Sequence, residues 1–139
     1  MNKNIDPRQQ PVRDMVQPFA EKEIRPVSEK LDHMPEPRPF PRDLYTKLGV
    51  AGFIGFAMPE KLGGGGKSQL EYVTLLEELC YHDAAVGLMC AVGGQAAFPI
   101  ISFGGDGLAK KFVPDCAAGK KVAAFVLTEP GADSDASHQ

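Results

Sequence analysis

The chain has 139 residues, of which 43% are hydrophobic and 24% charged, with a net charge of -3. That suffices for one globular domain and is too apolar for wholesale disorder, and the acidic balance gives no footprint for nucleic acid. Cys80, Cys90 and Cys116 are odd in number and form no CxxC pair, while Met1-Asn2-Lys3-Asn4 carries neither a secretory apolar core nor an Arg-rich helix. The expectation is a reduced, cytoplasmic setting.

Asp6-Pro7 reads as a helix start, with a side-chain acceptor ahead of a proline whose missing N–H costs nothing there. Val12, Met15, Val16, Phe19, Ala20 and Ile24 then recur at helical spacing. Pro18 lies inside that run and predicts a kink between Asp14 and Pro18; Pro26 bends or ends the helix, with Val27 to Leu31 able to resume it. His33 to Pro41 holds four prolines and predicts a stiff extended connector, with a proline-rich ligand as the functional alternative. A short helix follows, carrying Leu44, Tyr45 and Leu48 on its apolar side and closed by Gly49.

The run Gly63 to Gly66 before Lys67-Ser68 invites a phosphate-loop reading, but that motif needs glycine at position 61, where lysine stands. A flexible glycine turn is the better account. Ser68-Gln69-Leu70-Glu71 has the form of a capping box, opening a helix with Leu70, Val73, Leu76, Leu79 and Cys80 on one face. Asp83 caps the next helix. From Ala84 to Phe103 no residue is charged, long enough to cross a bilayer. Its glycines, Gln95, Pro99 and acidic flanks favour instead the central, buried helix of a soluble bundle, bent by Gly93-Gly94 and Pro99. Asp106 caps a last helix with Leu108, Phe112 and Val113 inward, ending near Gly119. Val122 to Leu127 is the first convincing strand.

Chemistry is sparse. His33, His82 and His138 lie far apart, and Cys80 and His82 point in different directions on a helix, so no metal or nucleophilic set emerges. The one suggestive stretch is Phe125-Val126-Leu127-Thr128-Glu129-Pro130-Gly131, continuing to Ser134 and Asp135. Hydroxyls and backbone amides just past a strand can hold a polar or anionic cofactor, and Pro-Gly is also an ordinary turn. Glu129, beside Pro130, reads as structural rather than as a general base.

Landmarks along nearly the whole chain fall in a fixed order: Phe19 to Pro26, Leu48 to Phe53, Pro59-Glu60-Lys61-Leu62-Gly63-Gly64, Leu76-Glu77-Glu78-Leu79, Lys111-Phe112-Val113-Pro114 and Leu127-Thr128-Glu129-Pro130-Gly131. In that order they resemble the amino-terminal part of acyl-CoA dehydrogenases. The resemblance implies an all-α helical bundle over residues 1–120 and the first strand of a β domain over 121–139. It implies FAD as cofactor, with Phe125, Val126, Leu127 and Thr128 lining the flavin and Ser134 meeting the pyrophosphate and the acyl-CoA substrate. It also implies an oxidoreductase of fatty acid metabolism, α,β-dehydrogenation of acyl-CoA thioesters, transfer of electrons to an electron-transferring flavoprotein, and a tetramer formed through a final domain. The family's catalytic glutamate falls outside these 139 residues, so the chain alone is expected to be inactive. Asp133 stands where the family has glycine, which predicts weaker FAD binding than in an Asp133→Gly chain. Acyl-CoA oxidases, flavin-dependent monooxygenases and a non-enzymatic helical interaction module stay open as alternatives.

Overall fold

A computed structural model describes residues 6–132, 135 and 137. Six α-helices account for most of it: α1 (Gln9–Phe19), α2 (Arg25–Asp32), α3 (Arg42–Val50), α4 (Gln69–His82), α5 (Ala84–Phe103) and α6 (Gly105–Ala117). The expected all-α bundle is therefore what forms. Helix α4 packs between α1 and α5, and α6 packs on the other part of α5.

The amino-terminal helix starts later than expected. Asp6 does not cap it; its carboxylate accepts from the Arg8 amide at 2.9 Å and from the Arg8 guanidinium, making a turn that precedes Gln9. The irregularity caused by the prolines also lies further on. Pro18 is absorbed within α1, and a widened π turn, Ala20–Ile24, joins α1 to α2, with the Arg25 amide donating to the Ala20 carbonyl. Pro26 has no N–H to offer the Lys22 carbonyl, and a wider turn accommodates its ring without ending the helix. Val12, Val16, Ala20 and Ile24 are buried as the spacing predicts, whereas Met15 is not.

The capping box forms as read. The Ser68 hydroxyl accepts from the Glu71 amide, and the Glu71 carboxylate accepts from the Ser68 amide at 2.9 Å. Asp83 caps α5, accepting from the Ala85 and Val86 amides at 2.8 and 3.1 Å. The inward face of α4 is turned from the one expected: Thr74, Leu75 and Leu79 are buried, while Val73 and Cys80 are exposed. Buried Thr74 is satisfied, donating to the Leu70 carbonyl and accepting from Gln9.

The glycine run is not a flexible turn. Gly65 and Lys67 donate to the carbonyls of Gly55 and Phe56, and Gly66 to that of Met58. A Cβ on Gly64 would lie 2.2 Å from the Met58 carbonyl oxygen, so two backbones touch there. Helix α6 takes no side-chain cap from Asp106, which instead pairs with Lys110 one turn on. Its buried side is Ala109, Val113 and Ala117, with Leu108 and Phe112 outward. The bundle thus has two clusters, one around Ile24, Tyr45, Phe53 and Leu79, the other joining Met58 and Leu62 to α5 and α6.

Candidate functional site

The segment singled out by sequence leaves the bundle beside α3. Gly119, at φ +69°, ends α6, and the Lys120 and Lys121 amides both donate to the Asp115 carbonyl. The Lys121 ammonium lies 2.9 Å from the Asp115 carboxylate and holds its pKa below the usual range. Arg42, at the start of α3, donates from its guanidinium to the Lys120 carbonyl. Gly49, expected to close α3, lies inside it, and the turn that follows uses Gly52 at φ +78°. What Gly49 supplies is proximity: a Cβ there would lie 2.4 Å from the Ala118 carbonyl carbon.

Beyond Lys121 the backbone carries no regular secondary structure up to Glu129, and Val122 to Leu127 forms no strand. The expected strand is corrected on this point. An apolar, β-prone run becomes a strand only by pairing its N–H and C=O groups with a neighbour, and the helical bundle offers no edge to pair with. Phe125 and Leu127 are 43% and 41% exposed, with Val126 between them at 90%, so the two flanking side chains are half-covered and the middle one faces solvent. Thr128 is exposed as well. Next comes a tight turn in which Glu129 and Ala132 exchange both backbone hydrogen bonds, at 2.9 and 3.1 Å around Pro130-Gly131. The Pro-Gly turn is real, and Glu129 contributes its backbone to it. Asp133 and Ser134 lie outside the described residues, so the pyrophosphate and substrate expectations placed there have no structural counterpart.

The second surface was not foreseen. Helix α5 was expected to be a buried helix, yet it is buried on one side only, along its own Val86, Gly87, Cys90, Gly93, Ala96 and Ala97. The reason is geometric, because its neighbours α4 and α6 reach it from the same side. Close approach there depends on missing side chains, since a Cβ on Gly87 would lie 2.2 Å from Cys80 Sγ and one on Gly94 2.8 Å from the Tyr72 hydroxyl. Despite those glycines and Pro99, α5 is continuous. Its outer side shows Leu88, Phe98 and Phe103, and on α6 Leu108 and Phe112 are exposed as well. With a mean hydropathy of 1.7, α5 is long and apolar enough to span a membrane. A cleft of about 540 Å³ lies between α2, the proline connector and the start of α5, lined by Val27, Leu31, Pro39, Leu44, Val86 and Met89; none of Phe125, Val126, Leu127 or Thr128 reaches it. No group of three His, Cys, Asp or Glu among the described residues converges as a metal site.

Residues 6–120 match the family described as "Acyl-CoA dehydrogenase, N-terminal domain". The chain belongs to the acyl-CoA dehydrogenase family. It is similar to an acyl-CoA dehydrogenase of Bacillus subtilis, 37% identical over 126 residues, covering 90% of this chain and 32% of that protein. Among solved structures it resembles a chain described under the electron transferring flavoprotein of Acidaminococcus fermentans and flavin-based electron bifurcation (37% identity, TM-score 0.84, covering all of this chain and 36% of that one). It also resembles the Bacillus anthracis acyl-CoA dehydrogenase complexed with FAD (26% identity, TM-score 0.82, all of this chain and 24% of that one). The chain spans about a third of the length of the curated acyl-CoA dehydrogenase relatives it matches.

Sequence reasoning missed the outer side of α5 and the hold of α3 on the exit segment. An uncharged run cannot reveal which of its sides is covered. A glycine near a helix end gives the same signal whether it terminates the helix or admits another backbone.

Proposed function

We propose that this chain is the amino-terminal domain of an FAD-dependent acyl-CoA dehydrogenase, contributing to α,β-dehydrogenation of an acyl-CoA thioester. The observation that carries the reading is that a bundle of this family is followed by an apolar segment, Phe125 to Leu127, that keeps apolar surface exposed and runs into a Thr-Glu-Pro-Gly turn. Bound FAD supplies the electron acceptor for the reaction. Phe125 and Leu127 offer apolar surface suited to a flat ring system, and Thr128 together with the segment's amides and carbonyls suits its polar edge. We assign Ser134, which follows the Glu129–Ala132 turn in sequence, to the pyrophosphate and the acyl-CoA.

In this reading residues 1–120 form the helical domain and 121–139 open a β domain, the boundary falling just after Gly119. Strand pairing, the catalytic base and tetramer formation come from the part of the fold that the relatives carry and these residues do not span. The glycine- and alanine-lined inner side of α5 suits a soluble bundle, and we assign its outer side to contact with the rest of the enzyme. An electron-transferring flavoprotein is the proposed redox partner. All three cysteines are free thiols, which suits a reducing cytoplasm.

The test is to join this chain to the carboxyl-terminal two thirds of the Bacillus subtilis relative. We expect flavin absorbance in the purified protein and turnover of an acyl-CoA with an artificial electron acceptor, and neither with the 139 residues alone. A soluble, folded joined protein without flavin would refute the reading.

A further inference from the structure

The peptide unit that joins Lys120 to Lys121 is held at both of its polar ends, by different helices. Its N–H, on Lys121, donates to the Asp115 carbonyl of α6 at 3.1 Å, and its C=O, on Lys120, accepts from the Arg42 guanidinium of α3. A peptide unit is planar and stiff, so two such bonds fix its orientation against the bundle. The Lys120 amide adds a second bond to the same Asp115 carbonyl at 2.9 Å, and the Lys121 ammonium pairs with the Asp115 carboxylate at 2.9 Å. Those contacts come from α6 itself. Arg42 brings in a second helix, from 78 residues away in sequence.

The needs of α3 do not explain that arginine. Arg42 is the first residue of the helix, where the dipole favours a carboxylate over a cation, and it is exposed, so it does not fill the core. Lys47, further along α3, pairs with the Glu23 carboxylate, whereas Arg42 reaches a neutral carbonyl. What the contact does follows from where it falls. Gly119, at φ +69°, turns the backbone out of α6, and Lys120 and Lys121 are the last residues before the segment Val122 to Thr128. From Lys121 to Thr128 a chain can reach up to about 24 Å, so a tilt of about 10° at its base displaces Thr128 by up to about 4 Å, more than the length of a hydrogen bond.

We propose that Arg42 is a positioning residue: its guanidinium, with the Asp115 carbonyl opposite, clamps the Lys120–Lys121 peptide and sets the direction in which Phe125 to Thr128 leaves the helical domain. The consequence for the cofactor rests on the functional reading above; the clamp itself does not.

Two measurements test the two parts separately. Amide hydrogen exchange on the 139-residue chain reads the clamp. In Arg42→Ala the Lys121 amide exchanges roughly fivefold to tenfold faster than in the wild type, while the Gly119 amide, bonded to the Cys116 carbonyl at 3.0 Å, keeps its rate. Arg42→Lys, which keeps a cationic donor, falls between the two. Equal exchange at Lys121 in the wild type and Arg42→Ala, or the same acceleration at Gly119, overturns the clamp. The second measurement uses the protein joined to the relative's remaining domains. There Arg42→Ala weakens flavin binding roughly fivefold and shifts the visible absorbance of the bound flavin, Arg42→Lys recovers part of both, and Lys61→Ala on the surface changes neither. Unchanged affinity and spectrum in Arg42→Ala, or an equal loss in Lys61→Ala, overturns the positioning role. If the wild-type joined protein holds no flavin, the functional reading fails, and exchange at Lys121 still decides the clamp.

Discussion

Replacing Gly49 with alanine adds one methyl group at a place where two backbones meet. The new Cβ would stand 2.4 Å from the Ala118 carbonyl carbon, its oxygen and the Gly119 nitrogen, and none of these can move aside as a flexible side chain would. Overpacking of this kind costs up to about 3 kcal/mol. Alanine returns about 1 kcal/mol through its helix propensity, because Gly49 lies within α3. The net loss is about 2 kcal/mol, which for a domain of this size lowers Tm by roughly 6–10 °C. Gly107 is the matched control. It lies in α6, and an added Cβ there meets nothing within 4 Å, so Gly107→Ala is expected to gain about 0.5–1 kcal/mol and raise Tm by a few degrees. The assay is thermal and urea unfolding of the two variants beside the wild type. Two Gly→Ala changes of the same sign, or a Gly49→Ala chain as stable as the wild type, would refute the claim that α3 and the end of α6 touch through bare backbone.

Three further outcomes follow from the caps and the titrating groups. Asp83→Ala leaves the Ala85 and Val86 amides without their acceptor and Ser28 without its partner, so it is expected to cost about 1–2 kcal/mol in urea unfolding, against a loss within about 0.5 kcal/mol for Lys61→Ala on the surface. The Arg8 side-chain and backbone hydrogen bonds hold the Asp6 pKa at about 2, below its ordinary 3.8, so this group's contribution is present above about pH 4 and is lost as pH falls through about 2. Glu71 and Asp115 are lowered in the same sense by Ser68 and Lys121, and melting curves between pH 5 and pH 2 should flatten in Asp6→Asn and Asp115→Asn and weaken with added salt. Burial, with Cys80 adding to it, pushes the Cys90 thiol up to about 12, so a thiol reagent at pH 8 should modify exposed Cys80 first and reach Cys90 only on unfolding. Equal rates for the two cysteines in the folded chain would contradict that burial.

What the sequence determined alone was local, because the information is carried by neighbours along the chain. Ser68 and Glu71 are three residues apart and satisfy each other's end of a helix whatever lies around them, and Asp83 does the same for α5. The prolines of the connector and the apolar spacing of Val12, Val16, Ala20 and Ile24 act in the same way. The ordered landmarks from Phe19 to Gly131 were enough to point to the family. Tertiary structure decided whatever depends on a second segment. It chose Thr74 and Leu75, beside the expected Leu79, over Val73 and Cys80 for the core side of α4, and left the outer side of α5 bare because α4 and α6 approach from one direction. Gly64 and Gly49 became points of backbone contact rather than a loop and a helix stop. Val122 to Leu127 has the composition of a strand and forms none among the described residues, since a ladder needs the hydrogen-bonding edge of a second strand and the helical bundle offers no such edge. Residue type fixes what a side chain can do; which neighbour it does it with is set by packing across the fold.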